Sequence, residues 1–180
     1  MKVFQTIAYL FLSANAVYAL PAESTVDTTD AANILEARAN LPGLSALQTK
    51  YANAIIAQAK KDAVGAYGCQ IAIVTGITET KLMMFANKAV PSSLKFPHDR
   101  VGTNRDAVGI FQQPVSVYKN LPCDMNAACS AGQLYQEIKK IQGWQNMNIT
   151  TICQKTRYSN CDQYPERVGL ATNVCKAGGL

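Results

Sequence analysis

Glu79 stands near the end of a long apolar run, Ile71-Ala-Ile-Val-Thr-Gly-Ile77, and Asp106 follows 27 residues later. A carboxyl packed against apolar side chains resists ionisation, because burial disfavours its charged form and raises its pKa. Such an acid keeps its proton near neutral pH and can hand it to a leaving oxygen. A second carboxylate can draw a proton from an attacking water, and the two together perform acid–base cleavage of a glycosidic bond. Asp106 serves equally well as a cap that orders the following turn, so both roles stay open for it. The alternative for Glu79 is an exposed helix-end carboxylate paired with Lys81 or Lys88. After Asp106 comes a glycine-hinged apolar turn, Gly109-Ile-Phe-Gln112-Gln113-Pro114. Its two glutamines offer amides to the hydroxyl and N-acetyl groups of a sugar, although a buried one would bond only backbone.

Other residues compete for roles in such a site. Asp99, in a loop between His98 and Arg100, is a rival second carboxylate. Trp144 offers an aromatic face on which a sugar ring can stack, or is a core residue set by Gly143. Tyr158 and Tyr164 lie in a cysteine-bracketed region, where they line a cleft or simply pack. Asn148-Ile149-Thr150 is an N-glycosylation sequon whose asparagine can alternatively cap a helix. No metal is expected: there is no Cys-x-x-Cys spacing, and His98 is the single histidine. No cofactor is implied.

The elements that must hold these residues read as mainly α, with α+β the alternative. Ser45 is a candidate N-cap for a helix to about residue 64, with Leu47, Tyr51, Ile55 and Ala59 on one face and Gly65 and Gly68 at its end. Gln70–Met84 is apolar nearly all round and reads as a buried helix carrying Glu79, despite the strand propensity of Ile71, Ile73 and Val74. Residues 86–104, with Pro91 and Pro97, read as a loop, and 107–113 as the start of a short helix. Ala131–Ile141 is amphipathic, with Leu134, Ile138 and Ile141 inward and Lys139 and Lys140 outward. A further helix is expected over 147–156, capped by Asn148 or Thr150, followed by a turn-rich tail.

The start of the chain has a basic Lys2, an apolar stretch over 7–18 and small residues at Val17 and Ala19, the pattern of a secretory signal peptide over 1–19. Residues 20–42 hold four acids against one arginine and read as an acidic leader or pro-segment. That leaves 43–180 as one domain. A secreted, extracellular location makes disulfides the expected state of the six cysteines. Six cysteines allow fifteen pairings. Proximity in polar loops favours Cys123–Cys129 and Cys153–Cys161, and elimination leaves Cys69–Cys175. From Asn40 onward fifteen Lys and Arg face eight Asp and Glu, 15 − 8 = +7, against +5 for the whole chain. Such a charge suits anionic partners, whether bacterial walls, membrane surfaces or nucleic acid, and serves solubility equally well. No basic–aromatic repeat points to nucleic acid. No stable membrane insertion is expected, and a monomer is.

Glu79-Thr80 followed by Gly109-Ile110-Phe111-Gln112 resembles the Glu-Ser … Gly-Leu-Met-Gln pattern of goose-type lysozymes and soluble lytic transglycosylases. Asn104–Gln113 is similar to the Asp-Ser-Leu-Gly-Leu-Phe-Gln-Gln stretch of secreted fungal muramidases and actinobacterial lysozyme-like proteins. Gly143-Trp144-Gln145-Asn146-Met147 with Thr150 resembles their Gly-Trp … Met … Leu-Thr segment. The likeness covers about Leu44 to Arg167. It departs after Gln113, where the relatives continue Arg-Pro-Ser with a Trp-rich loop and this chain has Pro114-Val115-Ser116. The resemblance implies a single-domain lysozyme-like fold and a muramidase acting on peptidoglycan glycan strands, with Glu79 as acid and Gln112 on the sugar; Asp106 as second carboxylate, and Gln113, Trp144 and Tyr164 as sugar contacts, are candidates on residue type and position. A lytic transglycosylase, a chitinase-type activity and a non-catalytic cationic wall-binding protein are the rival expectations.

Overall fold

The computed structural model describes residues 40–156, 158 and 160–180, so the expected signal peptide and most of the acidic leader lie outside the described residues. Leu41 already belongs to the core, and its N–H is held by the Thr49 hydroxyl at 3.0 Å. The folded body therefore takes in the last residues of the expected leader.

Helix α1 spans Ala46–Lys61. Ser45 starts it with a capping box: the Ser45 hydroxyl accepts the Gln48 N–H, and the Gln48 side chain accepts the Ser45 N–H at 2.9 Å. Its buried stripe is Ala52, Ile55, Ile56 and Ala59; Leu47, expected on that face, is exposed instead.

Helix α2 spans Gly65–Thr80 and is the centre of the molecule, packed against α1 and two later helices. Gly65 and Gly68 were expected to end the first helix, but they open and line the second. The strand propensity of Ile71, Ile73 and Val74 yields because all three are buried within a helix whose backbone groups are already satisfied. The hydroxyls of Thr75, Thr78 and Thr80 bond back to the carbonyls of Ile71, Val74 and Gly76, so none is buried without a partner. Gly76 allows close approach: a Cβ there would sit 2.7 Å from Leu82 and 3.0 Å from Ile110. The helix ends where Lys81 and Leu82 both take positive φ, and Leu82 N–H returns to the Gly76 carbonyl at 2.9 Å.

Residues 85–114 form a small β lobe rather than the expected loop and short helix. Strands β1 (Phe85–Asn87) and β2 (Arg100–Gly102) pair in parallel, bridged by a 3-10 turn over Pro91–Lys95. Strands β3 (Ala107–Val108) and β4 (Gln113–Pro114) form an antiparallel hairpin, Val108 opposite Gln113. The 107–113 segment cannot be helical because Gly109 (φ +77°) and Gln112 (φ +49°) are both left-handed.

Short helices α3 (Val115–Tyr118) and α4 (Leu121–Asp124) lead into α5 (Ala127–Lys139), which starts four residues earlier than its apolar pattern because Asn126 caps it. Helix α6 (Ile149–Lys155) is capped by Asn148, whose side-chain oxygen accepts the Thr151 N–H at 2.8 Å. The tail expected to be turn-rich is helix α7 (Tyr164–Ala177), the closest partner of α2. It buries a narrow stripe of Ala171, Val174 and Cys175, too small for a strong apolar period. The seven α-helices among the described residues make the chain a mainly helical single domain around one continuous core.

Three disulfides staple it, with the expected connectivity: Cys69–Cys175, Cys123–Cys129 and Cys153–Cys161. They fit an oxidising compartment. Among the described residues no helix is long and apolar enough to cross a membrane.

Candidate active site

Glu79 is the penultimate residue of α2, and the chain reversal at Lys81 and Leu82 leaves it at the helix end, facing a cleft of about 860 Å³. Thr80 fixes that end. Its hydroxyl donates to the Ile110 carbonyl at 2.8 Å, tying the residue beside Glu79 to the turn of the β3–β4 hairpin. Glu79 is half-buried, and its pKa is pushed up to about 7 by that burial. Its Oε1 is buried with no hydrogen-bond partner among the described residues, and neither Lys81 nor Lys88 pairs with it. The exposed ion-paired alternative is therefore not what the fold builds.

The hairpin closes one wall of the cleft. Gly109 sits against the α4 backbone, where a Cβ would lie 2.1 Å from the Asp124 carbonyl oxygen. The Asp124 side chain is itself buried, which pushes its pKa up to about 6. Gln112 and Gln113 both line the cleft. The Gln112 amide donates to the Gly109 carbonyl at 3.2 Å, and the buried Gln113 amide donates to the Ser130 carbonyl at 3.3 Å. Gln113 Oε1 has no hydrogen-bond partner.

Asp106 also lines the cleft, but its carboxylate is already engaged. Oδ2 accepts the Ser116 backbone N–H at 2.8 Å, and the Asp106 carbonyl accepts the Val115 N–H at 3.2 Å. The Ser116 hydroxyl and then its N–H hold the Asp106 pKa below the usual carboxylate range. The turn-ordering role is thus visible in the geometry.

Two expected sugar contacts lie elsewhere. Trp144 is buried and stacks on Tyr67 with ring centroids 6.2 Å apart, away from the cleft. Its ring edge passes close to Gly68 of α2, where a Cβ would lie 3.5 Å from it, an ordinary contact distance. Tyr164 is fully buried at the start of α7; its phenol lies under α2, beside Thr75 and within reach of the Glu79 charge, but does not line the cleft. Asp99 is a structural acceptor for the Met84 N–H at 2.7 Å and for Tyr51, and His98 bonds the Phe96 carbonyl; neither lines the cleft. Asn148 is exposed, at the opposite end of α6 from Lys155, which does line it.

The cleft lining also carries Tyr158, one of the two tyrosines expected to line a cleft or to pack, and Glu137, which the sequence reading passed over. Glu137 of α5 accepts the Tyr118 hydroxyl at 2.8 Å, and Tyr158 lines the same cleft as Tyr118, Glu137 and Glu79. Burial drives the Tyr158 phenol well above its usual pKa, reinforced by Tyr118, Tyr164, Glu137 and Glu79. Arg105, Lys140 and Lys155 supply positive charge to the rim. Glu137 had one sequence signal: it lies four residues before the inward Ile141, on the flank of the apolar face of its helix.

No protein-family model matches the chain, and no curated protein matches it.

Proposed function

We propose that the protein is a secreted muramidase that hydrolyses the β-1,4 bond between N-acetylmuramic acid and N-acetylglucosamine in bacterial peptidoglycan. The observation that carries this reading is Glu79: a carboxyl with its pKa raised to about 7, one oxygen unpartnered, at the wall of an open cleft. At neutral pH about half of such groups carry a proton, the condition for protonating a leaving sugar oxygen. Departure of that oxygen leaves an oxocarbenium-like centre, which flanking carboxylates stabilise. The Gln112 amide offers polar contacts to the glycan. The cations at the rim and the net charge of +5 favour an anionic polymer.

The occupied carboxylate of Asp106 favours a second reading, lytic transglycosylation. There the muramyl 6-hydroxyl replaces water and Glu79 acts as acid and then base, with no second carboxylate required. Mass spectrometry of the fragments released from purified peptidoglycan separates the two: reducing ends mark a hydrolase, 1,6-anhydro ends a transglycosylase. Glu79→Gln should keep the fold and abolish either product. A folded Glu79→Gln protein with unchanged turnover would exclude Glu79 as the acid, whereas a wild type that binds peptidoglycan and releases no fragment would leave a wall-binding protein.

A further inference from the structure

We propose that Glu137, and not Asp106, is the carboxylate that activates the attacking water; the assignment rests on the muramidase reading above. Three carboxyls open into the cleft: Glu79 at the end of α2, Asp106 before β3, and Glu137 on α5. They differ in what already occupies them. Asp106 is held by the Ser116 N–H and hydroxyl and by its own place in the turn that starts α3. A lone pair engaged by a backbone donor is withheld from a water proton, and moving it would unfasten the turn. Glu137 is held by one phenol, through Oε2 alone. Its other oxygen has no partner among the described residues and is not sealed from solvent.

Position points the same way. Glu79 and Glu137 come from different helices, and both charges act on the hydroxyl of Tyr158, which lines the cleft with them. The Tyr118 hydroxyl holds the Glu137 carboxylate at 2.8 Å, and Glu79, Tyr118, Glu137 and Tyr158 all line the same cleft. In the step this allows, the water oxygen bonds to C1 of the muramyl ring as the C1–O bond to the next sugar breaks. The water proton passes to Glu137, and the departing oxygen takes the Glu79 proton. Exchange with solvent then returns a proton to Glu79 and removes one from Glu137. Attack from the face opposite the leaving group inverts the anomeric centre.

The test uses the full chain on purified peptidoglycan, with and without sodium azide, an anionic nucleophile that needs no base. Glu137→Gln should lower kcat by about 100-fold or more with little change in KM. Azide should restore turnover and give the α-glycosyl azide, which also certifies that the variant is folded. Glu137→Ala, which opens more room for azide, is the second variant should the first fold poorly. Asp106→Asn should fall far less in kcat and gain nothing from azide. Full turnover in Glu137→Gln, or a loss that azide does not rescue in either variant, overturns the assignment while leaving the muramidase reading intact. Anhydro products from the wild type overturn it too, since no water is then activated. Absence of any released saccharide from the wild type instead overturns the muramidase reading, and this assignment with it.

Discussion

The Thr80 hydroxyl and the Ile110 carbonyl oxygen, thirty residues apart in sequence, meet at 2.8 Å in the buried seam between α2 and the β3–β4 hairpin. Through this bond the helix end that carries Glu79 and the turn that carries Gln112 become one rigid unit. The same hydroxyl also reaches the Gly76 carbonyl at 3.1 Å, so the helix terminus is pinned from both sides.

Thr80→Val keeps the shape and removes the hydroxyl, leaving the Ile110 carbonyl buried and unpaired. We expect a stability loss of about 1–2 kcal/mol and a fall in kcat through misplacement of Glu79. Thr80→Ser, which keeps the hydroxyl, should restore most of both. Thermal melting and turnover on the same preparations check this; equal behaviour of the Val and Ser variants would show that the bond positions nothing.

How much of this was legible in the sequence depended on the range of the interactions. The capping box at Ser45, the buried helix under Glu79 and the short disulfides are written in residues within a few positions of each other. The β3–β4 hairpin was misread as a helix because its apolar run, Ala107–Phe111, matches either period. What decides is the left-handed backbone at Gly109 and Gln112, and Gly109 is needed there because α4 approaches to contact distance. Helix α7 was missed for a related reason: it packs small residues onto α2, so the large apolar residues of the contact lie on its partner. Glu137 entered the cleft through tertiary packing of α5, and Trp144 left it for the same kind of reason.

Two buried carboxyls set the pH dependence of stability. Burial raises Glu79 from 4.5 to about 7 and Asp124 from 3.8 to about 6, so the folded chain binds these protons more tightly than the unfolded chain. Stability is then greatest below about pH 4 as far as these groups decide it, and falls as pH rises toward 7. Allowing for solvent screening, the two together amount to roughly 2 kcal/mol. Asp106 acts in the opposite sense, but at the surface. Denaturant midpoints should be lower at pH 8 than at pH 5, and Asp124→Asn should flatten the part between pH 4 and 6. A midpoint that rises steadily from pH 5 to 8 contradicts this.

The same Glu79 proton governs the alkaline limb of activity. Above pH 7 the protonated fraction falls about tenfold per pH unit, and kcat should follow it. A profile flat to pH 9 would mean that another group donates the proton.

Asp106→Asn separates fastening from chemistry. Asparagine keeps an oxygen for the Ser116 N–H but loses the charge that strengthens the bond, so we expect a loss of about 1 kcal/mol in stability. The loss in kcat should be much smaller than that of Glu137→Gln. If Asp106→Asn instead lowers kcat by about 100-fold without lowering the melting temperature, Asp106 is the water-activating group.

Cys69–Cys175 joins the first turns of α2 to the last turn of α7 across a sequence separation of 106. The other two bridges close separations of 6 and 8. Loop-closure entropy grows with the logarithm of the loop, so on the chain-entropy model the long bridge is worth about 4–5 kcal/mol and each short one about half of that. Both long-bridge cysteines are also buried in the core that carries Glu79 at its far end. Replacing Cys69 and Cys175 together with alanine should therefore cost more stability than replacing either short pair. It should also lower turnover well below the melting transition, because α7 is the closest partner of the helix that positions the acid. Melting curves and turnover at 25 °C on the three double variants make the comparison. If the long-bridge variant melts no lower than the short-bridge ones, the ranking by loop length is wrong; if it melts lower with turnover intact, α7 stabilises α2 without setting the position of Glu79.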